Sequence, residues 1–194
     1  ITALRQNKVA DPMVNLAILF HDIGKQKTHK EEPGGKHTYH GHPEEGVDLI
    51  NDIAKKLKLS NEERDAIMFA MLNHMRFHNI LDMKKSKILE LIKDKNWEVL
   101  KATAFADASA RKHMFDQKEW QDILAKIEDV KEKWGNESAN KVSKLVNGDL
   151  VMQVTGLKPG KQVGEIIRKV TDYVVQHDIT DEAEIKKLIK AAAQ

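Results

Sequence analysis

Residues 11–25 read DPMVNLAILFHDIGK. Asp11 can cap a helix, and Pro12 suits its first turn. Val14, Leu16, Ala17, Ile18, Leu19 and Phe20 are apolar nearly all round. Such a pattern predicts a buried helix rather than an amphipathic surface one. Gly24 suits its C-terminal end. His21 and Asp22 therefore stand where a buried helix stops.

The stretch that follows, KQKTHKEEPGGKHTYHG over residues 25–41, reads as a loop of 17 residues. A compact domain rarely carries so long a loop without a functional reason. Pro43 then opens a predicted helix to about Leu57, with Val47, Ile50, Ile53, Ala54 and Leu57 at helical spacing. Ser60 and Glu63 form a capping-box pattern ahead of a helix to about Met75, on which Ile67, Ala70, Met71 and His74 share a face. Further helices are predicted near 85–94, 97–113 and 117–133. In the second of these, Asp107 shares an apolar face with Leu100 and Ala104. Residues 135–140 look like a polar joint. Asn147-Gly148 and Pro159-Gly160 are turn signals, and two more helices are predicted near 162–176 and 181–193. No strand is convincing. The expectation is an all-α chain, with a helical bundle over 1–134 and a smaller helical region over 135–194.

Composition agrees. Of 194 residues, aromatics make up 5% and only four are Pro, which disfavours a sandwich or barrel. A hydrophobic fraction of 41% excludes a disordered chain. Lys and Arg total 32 against 30 Asp and Glu, so no overall basic coat exists, although a local patch can. With no Cys, a disulfide scaffold, thiolate metal site or cysteine nucleophile is excluded, and a reducing cytoplasm is expected. No apolar run approaches membrane-spanning length, and no signal peptide is expected. The chain begins at Ile1 in what reads as a helix, so it is expected to be part of a longer protein.

Nine His are present, and seven fall between residues 21 and 78. His21 and Asp22 are about 100° apart around a helix, yet both can reach one ion beside the helix end. A neutral imidazole with a carboxylate suits a divalent transition metal, or Mg²⁺ with waters completing its shell. A capped helix end with a surface His is the plainer reading of the pair alone. His42 before a helix, and His74 and Asp107 on apolar faces of two others, tip the balance, because a buried carboxylate needs a cation or hydrogen bonds.

These residues resemble a known family. HDIGK at 21–25, Thr28, YHGHPEEG at 39–46, Asn73-His74 and Asp107 look like the HD superfamily of metal-dependent phosphohydrolases. In its HDIGK…HGH version the pattern more closely resembles the C-terminal HD region of bacterial tRNA nucleotidyltransferases, the CCA-adding and poly(A) polymerase group. LVNGDLVMQVTGLKPGKQVGEIIRKV at 145–170 resembles that group's segment beyond the HD domain, with Lys161 standing where the group commonly has Pro. The resemblance implies that His21, Asp22 and Asp107 bind a divalent metal (Mg, Mn, Ni, Fe or Zn). His42 and His74 match further His positions, and Asp22 would bridge to a second ion. His21, Asp22 and Lys25 are the implied catalytic residues. Lys25 reads either as a phosphate contact or as a solvated Lys, Thr28 as a phosphate contact or a loop organiser, and His78 as a ligand, a phosphate contact or a surface His. His29, His37 and His40 read as solvated.

The family pattern begins with an additional His on an earlier helix, and residues 1–20 contain none. That ligand and the nucleotidyltransferase catalytic carboxylates are expected upstream of Ile1. From Lys141 to Val170 six Lys/Arg face two acids, a local charge of +4. Lys158, Lys161, Arg168 and Lys169 read as solvated charges on their own. The resemblance makes them contacts to a tRNA backbone. The expected function is the HD portion of a multifunctional tRNA nucleotidyltransferase, with metal-dependent hydrolysis of a phosphoester or nucleotide: a 2′,3′-cyclic phosphodiesterase, 2′-nucleotidase or phosphatase. The alternatives are a non-catalytic HD-fold arm that docks RNA, and a stand-alone HD nucleotide phosphohydrolase.

Overall fold

The structure, a computed structural model, describes residues 11–111, 115–135 and 143–193. Residues 1–10, His113, the joint beyond Gly135 and Lys141 lie outside the described residues. Among the described residues the protein is all-α apart from one short hairpin. Its chain forms two compact units, residues 1–79 with 94–119, and residues 80–93 with 120–194. The sequence-based boundary at 134/135 places residues 80–93 and most of the helix at 117–134 in the first part. In the structure, residues 80–93 and 120–134 group instead with the second unit.

In the first unit, α1 (Pro12–Phe20) starts as expected: the Asp11 side chain accepts from the Met13 N–H at 2.8 Å. α2 (Lys25–Thr28), β1 (Lys30–Glu32), β2 (Lys36–Thr38) and α3 (His42–Glu45) follow, then α4 (Val47–Leu57), α5 (Asn61–His78) and α7 (Trp97–Ala110). Residues 25–41 are thus not a structureless loop. A helical turn and an antiparallel hairpin, Lys30 opposite Thr38 and Glu32 opposite Lys36, occupy it. The strands KEE and KHT lie on the surface and carry no apolar alternation, so their pairing leaves no period-two signal. Gly34 and Gly35 take the left-handed turn.

α1 packs against both α5 and α7, which also pack on each other. Val14 and Ile18 meet Ala106 on one side. On another, Met13, Leu16 and Phe20 pack on Ile50, Ile67 and Met71. Leu19 escapes this burial and is half exposed. The Ser60–Glu63 capping box forms as predicted: the Glu63 N–H donates to Ser60 Oγ, and the Ser60 N–H to Glu63 Oε2. α5 continues to His78, a turn past the predicted end.

The second unit holds α6 (Lys85–Ile92), α8 (Gln117–Trp134, from Trp120), α9 (Gly148–Thr155), α10 (Lys161–Gln176) and α11 (Glu182–Ala192). α10 packs on α6, α9 and α11, burying Val163, Ile166, Val170, Val174 and Val175. α9 lies between the two turn signals, with the Asn147 side chain as its cap.

Asp178 ties this unit together from a left-handed backbone position, φ 54°. It accepts from Lys85 Nζ at 2.6 Å, Trp134 Nε1 at 3.0 Å and Lys133 Nζ at 3.1 Å. Burial works against its charge, but Lys85, Trp134 and Lys133 outweigh burial and hold its carboxyl at about 2. A depressed carboxyl stabilises the fold fully above its ordinary value, 3.8, and that stabilisation is lost as pH falls towards about 2. Asp178→Asn should therefore cost about 1 kcal/mol at pH 7, solvent screening included. It should flatten the loss of stability between about pH 4 and pH 2. Urea midpoints at pH 7 and pH 3 check both.

Candidate metal centre

α1 ends by delivering His21 and Asp22; α3 delivers His42, α5 delivers His74 and His78, and α7 delivers Asp107. Each of three buried histidines makes the same local bond. His21 Nδ1 lies 2.8 Å from the Ile18 carbonyl, His42 Nδ1 2.9 Å from that of Tyr39, and His74 Nδ1 2.7 Å from that of Met71. A carbonyl oxygen only accepts, so Nδ1 must carry the proton in all three. In the neutral imidazole each Nε2 is then a bare lone pair. Backbone carbonyls thereby orient three potential metal ligands.

Those lone pairs converge on carboxylates. Asp22 Oδ1 lies 3.2 Å from His42 Nε2 and 3.6 Å from His74 Nε2. Asp22 Oδ2 lies 3.2 Å from His21 Nε2, which is 3.5 Å from Asp107 Oδ1. Two ligand groups result, Asp22–His42–His74 and His21–Asp22–Asp107, each with its atoms within 4.8 Å of one another. Asp22 belongs to both, one oxygen facing each. The predicted residues His21, Asp22, His42, His74 and Asp107, scattered over 87 positions from 21 to 107, thus come together.

The arrangement fits cations. His42 Nε2 and His74 Nε2 stand 3.2 Å apart. Two bare lone pairs at that distance repel unless a proton or a cation lies between them. His21 Nε2 and Asp22 Oδ1 are buried without a hydrogen bond of acceptable geometry, a costly state for polar atoms in an interior. Imidazole nitrogens mixed with carboxylate oxygens and no thiolate suit Mn, Fe, Ni or Zn better than Ca or Mg.

Protonation tells the same story. Burial opposes charge on His21, but Asp107 and Asp22 override it and lift its pKa to about 9. The negative field that attracts this proton would equally attract a divalent ion. Burial dominates at His74 and pushes it down to about 4, leaving its lone pair free at neutral pH. Asp22 and Asp107 stay ionised: burial would raise them, yet His21 holds both far below the usual carboxylate range, with Lys25 aiding the first and His78 and Arg111 the second.

Lys25 Nζ sits 2.6 Å from Asp22 Oδ2 and is not a free surface charge. His78 approaches Asp107 Oδ2 at 3.0 Å, and Arg111 meets the same oxygen at 2.7 Å. Sequence reasoning misses Arg111, because a basic residue near a helix end reads as a solvated charge. The Thr28 hydroxyl bonds the Gly24 carbonyl and serves the turn. His29 and His37 are exposed but not independent: their rings bond at 2.9 Å beside Tyr39. A cleft of about 740 Å³ opens over the cluster, walled by Lys25, Tyr39, His40, Met75, His78 and Arg111 among others.

Gly24 explains part of the HDIGK spelling. A Cβ there would collide with the His42 carbonyl oxygen and come within 2.8 Å of the Gly46 nitrogen. Both are backbone atoms that cannot swing aside. Gly24→Ala should cost about 1–3 kcal/mol and weaken metal affinity by displacing His42. Thermal melts with and without Mn²⁺ read both effects.

Comparison with known proteins agrees with this geometry. The HD domain profile matches residues 9–191. The chain belongs to the HD-domain family. HD domains are metal-dependent, and the clustered His and Asp side chains fit that character. Among curated proteins, a multifunctional CCA protein of Legionella pneumophila (strain Paris) is 33% identical over 82 residues, 42% of this chain and 19% of that protein. One from Shewanella denitrificans is 33% identical over 81 residues, with the same two shares. An A-adding tRNA nucleotidyltransferase of Deinococcus radiodurans is 23% identical over 198 residues, covering 95% of this chain and 43% of that protein. The chain thus spans less than half the length of these relatives. No solved structure gives a significant match.

The residues expected to meet RNA all lie on the surface of the second unit. Lys158 and Lys161 flank the start of α10, and Arg168 and Lys169 stand two turns further on. Lys161 Nζ is 4.0 Å from Glu165 with its side chain 93% exposed, a pairing too open to hold it. Among the described residues no helix is long and apolar enough to cross a membrane.

Proposed function

We propose that this chain is the HD portion of a tRNA nucleotidyltransferase-type protein, and that the cleft of its first unit hydrolyses a phosphoester. The single observation that carries the reading is the convergence of three histidine Nε2 atoms on the two oxygens of Asp22. His21, Asp22 and Asp107 would hold one divalent ion, and Asp22, His42 and His74 a second. Bound there, the ions would polarise a phosphoryl group and make water acidic enough to attack it. The chain's own part is to keep the ligands oriented through Nδ1–H bonds and to keep both carboxylates ionised. Lys25 sets a positive charge on Asp22 beside the incoming phosphate, where it can meet a phosphoryl oxygen as a point charge. A nucleotide suits the cleft, since Tyr39 and Met75 give a base an apolar wall while phosphate meets the cationic side.

The tail residues Lys158, Lys161, Arg168 and Lys169 are proposed to meet the tRNA backbone. Their exposure supports this, as does the relative whose name is A-adding tRNA nucleotidyltransferase. No base-reading motif is evident, which suits a partner read through its phosphates. Nucleotide addition by the whole protein would rest on carboxylates outside this chain.

The chain loaded with Mn²⁺, Ni²⁺ or Zn²⁺ tests the first part. It should bind two ions, melt at higher temperature than after chelation, and hydrolyse adenosine 2′,3′-cyclic phosphate or adenosine 2′-monophosphate. Binding of ions without hydrolysis of either ester would favour the docking arm instead.

A further inference from the structure

We infer that Arg111 anchors the substrate phosphoryl group and biases the cleft towards a terminal phosphate ester over a cyclic phosphodiester. The inference rests on the hydrolytic reading above and deepens it. Arg111 closes α7 one turn after Asp107, and its Nη2 lies 2.7 Å from Asp107 Oδ2. Asp107 uses its other oxygen, Oδ1, to face His21 Nε2. The guanidinium is therefore separated from the His21–Asp22–Asp107 ligand group by the width of one carboxylate. It also lines the cleft, with its side chain half exposed.

The bond to Asp107 uses only part of what the guanidinium offers. The fork carries five N–H donors, and the described contacts, to Asp107 Oδ2 and to His78 Nε2 at 3.3 Å, both come from Nη2. Among the described residues nothing takes the other donors, which leaves them for an oxygen in the cleft. Arg suits this role because its planar fork matches phosphate oxygens, and because it keeps its charge beside any neighbour. Lys25 stands on the Asp22 side of the cluster and Arg111 on the Asp107 side. A phosphoryl group over the cluster would meet a cation at each flank.

Oxygen arithmetic gives the specificity. Hydrolysis forms a P–O bond from water and breaks the ester P–O bond, while the leaving oxygen takes up a proton. A terminal phosphate has three non-bridging oxygens, and a cyclic phosphodiester has two. If ligand-held cations engage two oxygens, only the terminal phosphate has a third for Arg111. It also carries the greater negative charge between the two flanking cations.

The test uses the full chain loaded with Mn²⁺, comparing Arg111→Ala and Arg111→Lys with the wild type. Hydrolysis of adenosine 2′-monophosphate and of adenosine 2′,3′-cyclic phosphate is measured, with calorimetric titration of inorganic phosphate and of Mn²⁺. Arg111→Ala should lower kcat/KM for the monophosphate about 10- to 100-fold, the range of a charge-assisted bond. The cyclic ester should change only a few-fold. Phosphate affinity should fall about tenfold or more, with two Mn²⁺ still bound, and Arg111→Lys should recover part of the loss. Equal loss for both esters, unchanged phosphate affinity, or a loss traced wholly to weaker Mn²⁺ binding would overturn the inference. If the wild type hydrolyses neither ester, the hydrolytic reading fails, and the phosphate titration still judges Arg111. A wild-type protein that takes up Mn²⁺ but no phosphate overturns both.

Discussion

Asp22→Asn is expected to empty both metal positions and to reduce hydrolysis about 1,000-fold or more. The expectation follows from the division of one carboxylate between two groups. Oδ1 faces His42 and His74, while Oδ2 faces His21 and Lys25. Asn keeps the shape, removes the negative charge, and turns an NH₂ towards one of the two groups. Since NH₂ donates and does not accept, that side is left with donors or lone pairs and no anion. A 1,000-fold loss corresponds to about 4 kcal/mol of transition-state stabilisation, within what removal of a metal's Lewis acidity can take away. Single changes further out should separate the groups. His74→Ala should cost the ion of the His42 side, and Asp107→Asn that of the His21 side. Elemental analysis after dialysis against Mn²⁺ counts the ions, and melting curves establish that each variant is folded. Retention of two ions by folded Asp22→Asn would show that Asp22 does not bridge.

Much of this centre is legible in the sequence because its residues carry chemistry that a helix seldom wastes. A His-Asp pair ending a largely apolar helix, and a His and an Asp on the apolar faces of two others, each need a partner. Convergence is the economical way to supply one, and His21 and Asp107 do lie 3.5 Å apart. The capping box at Ser60 is legible for the same kind of reason, since two reciprocal bonds need two fixed residue types. What escapes has a physical cause too. Arg111 gains its meaning from His78, 33 positions away, and from a cleft that exists only once α5 and α7 pack. The hairpin at 30–38 buries nothing, so no alternation marks it. The place of α6 and α8 in the second unit is a matter of packing partners, and amphipathic periodicity predicts a helix without naming the face it will meet. Leu19 shows the limit on the smallest scale: an apolar run implies burial all round, and one side of α1 still faces outward.

Neutralising Lys158 and Lys161 together is expected to weaken tRNA binding about tenfold at low salt and to flatten its salt dependence. Contacts between exposed cations and RNA phosphates are modest individually, roughly 0.7 kcal/mol each, and two give about one decade. Their signature lies in the counterions they release. Removing one cation–phosphate pair should reduce the slope of log affinity against log salt by about 0.7–0.9. Arg168→Ala with Lys169→Ala should act similarly, as both lie on the same helix. His21→Ala with Asp22→Ala should instead abolish phosphoester hydrolysis and leave tRNA affinity nearly unchanged, because these side chains belong to the first unit and the basic residues to the second. Filter binding across a salt series separates the outcomes, since a structural defect lowers affinity at every salt concentration without changing the slope. A folded His21/Asp22 variant that loses tRNA, together with a Lys158/Lys161 variant that keeps it, would move the RNA surface to the cleft. The histidines and Lys25 would then be read as phosphate-docking groups, and the HD fold as an arm that holds RNA without cutting it.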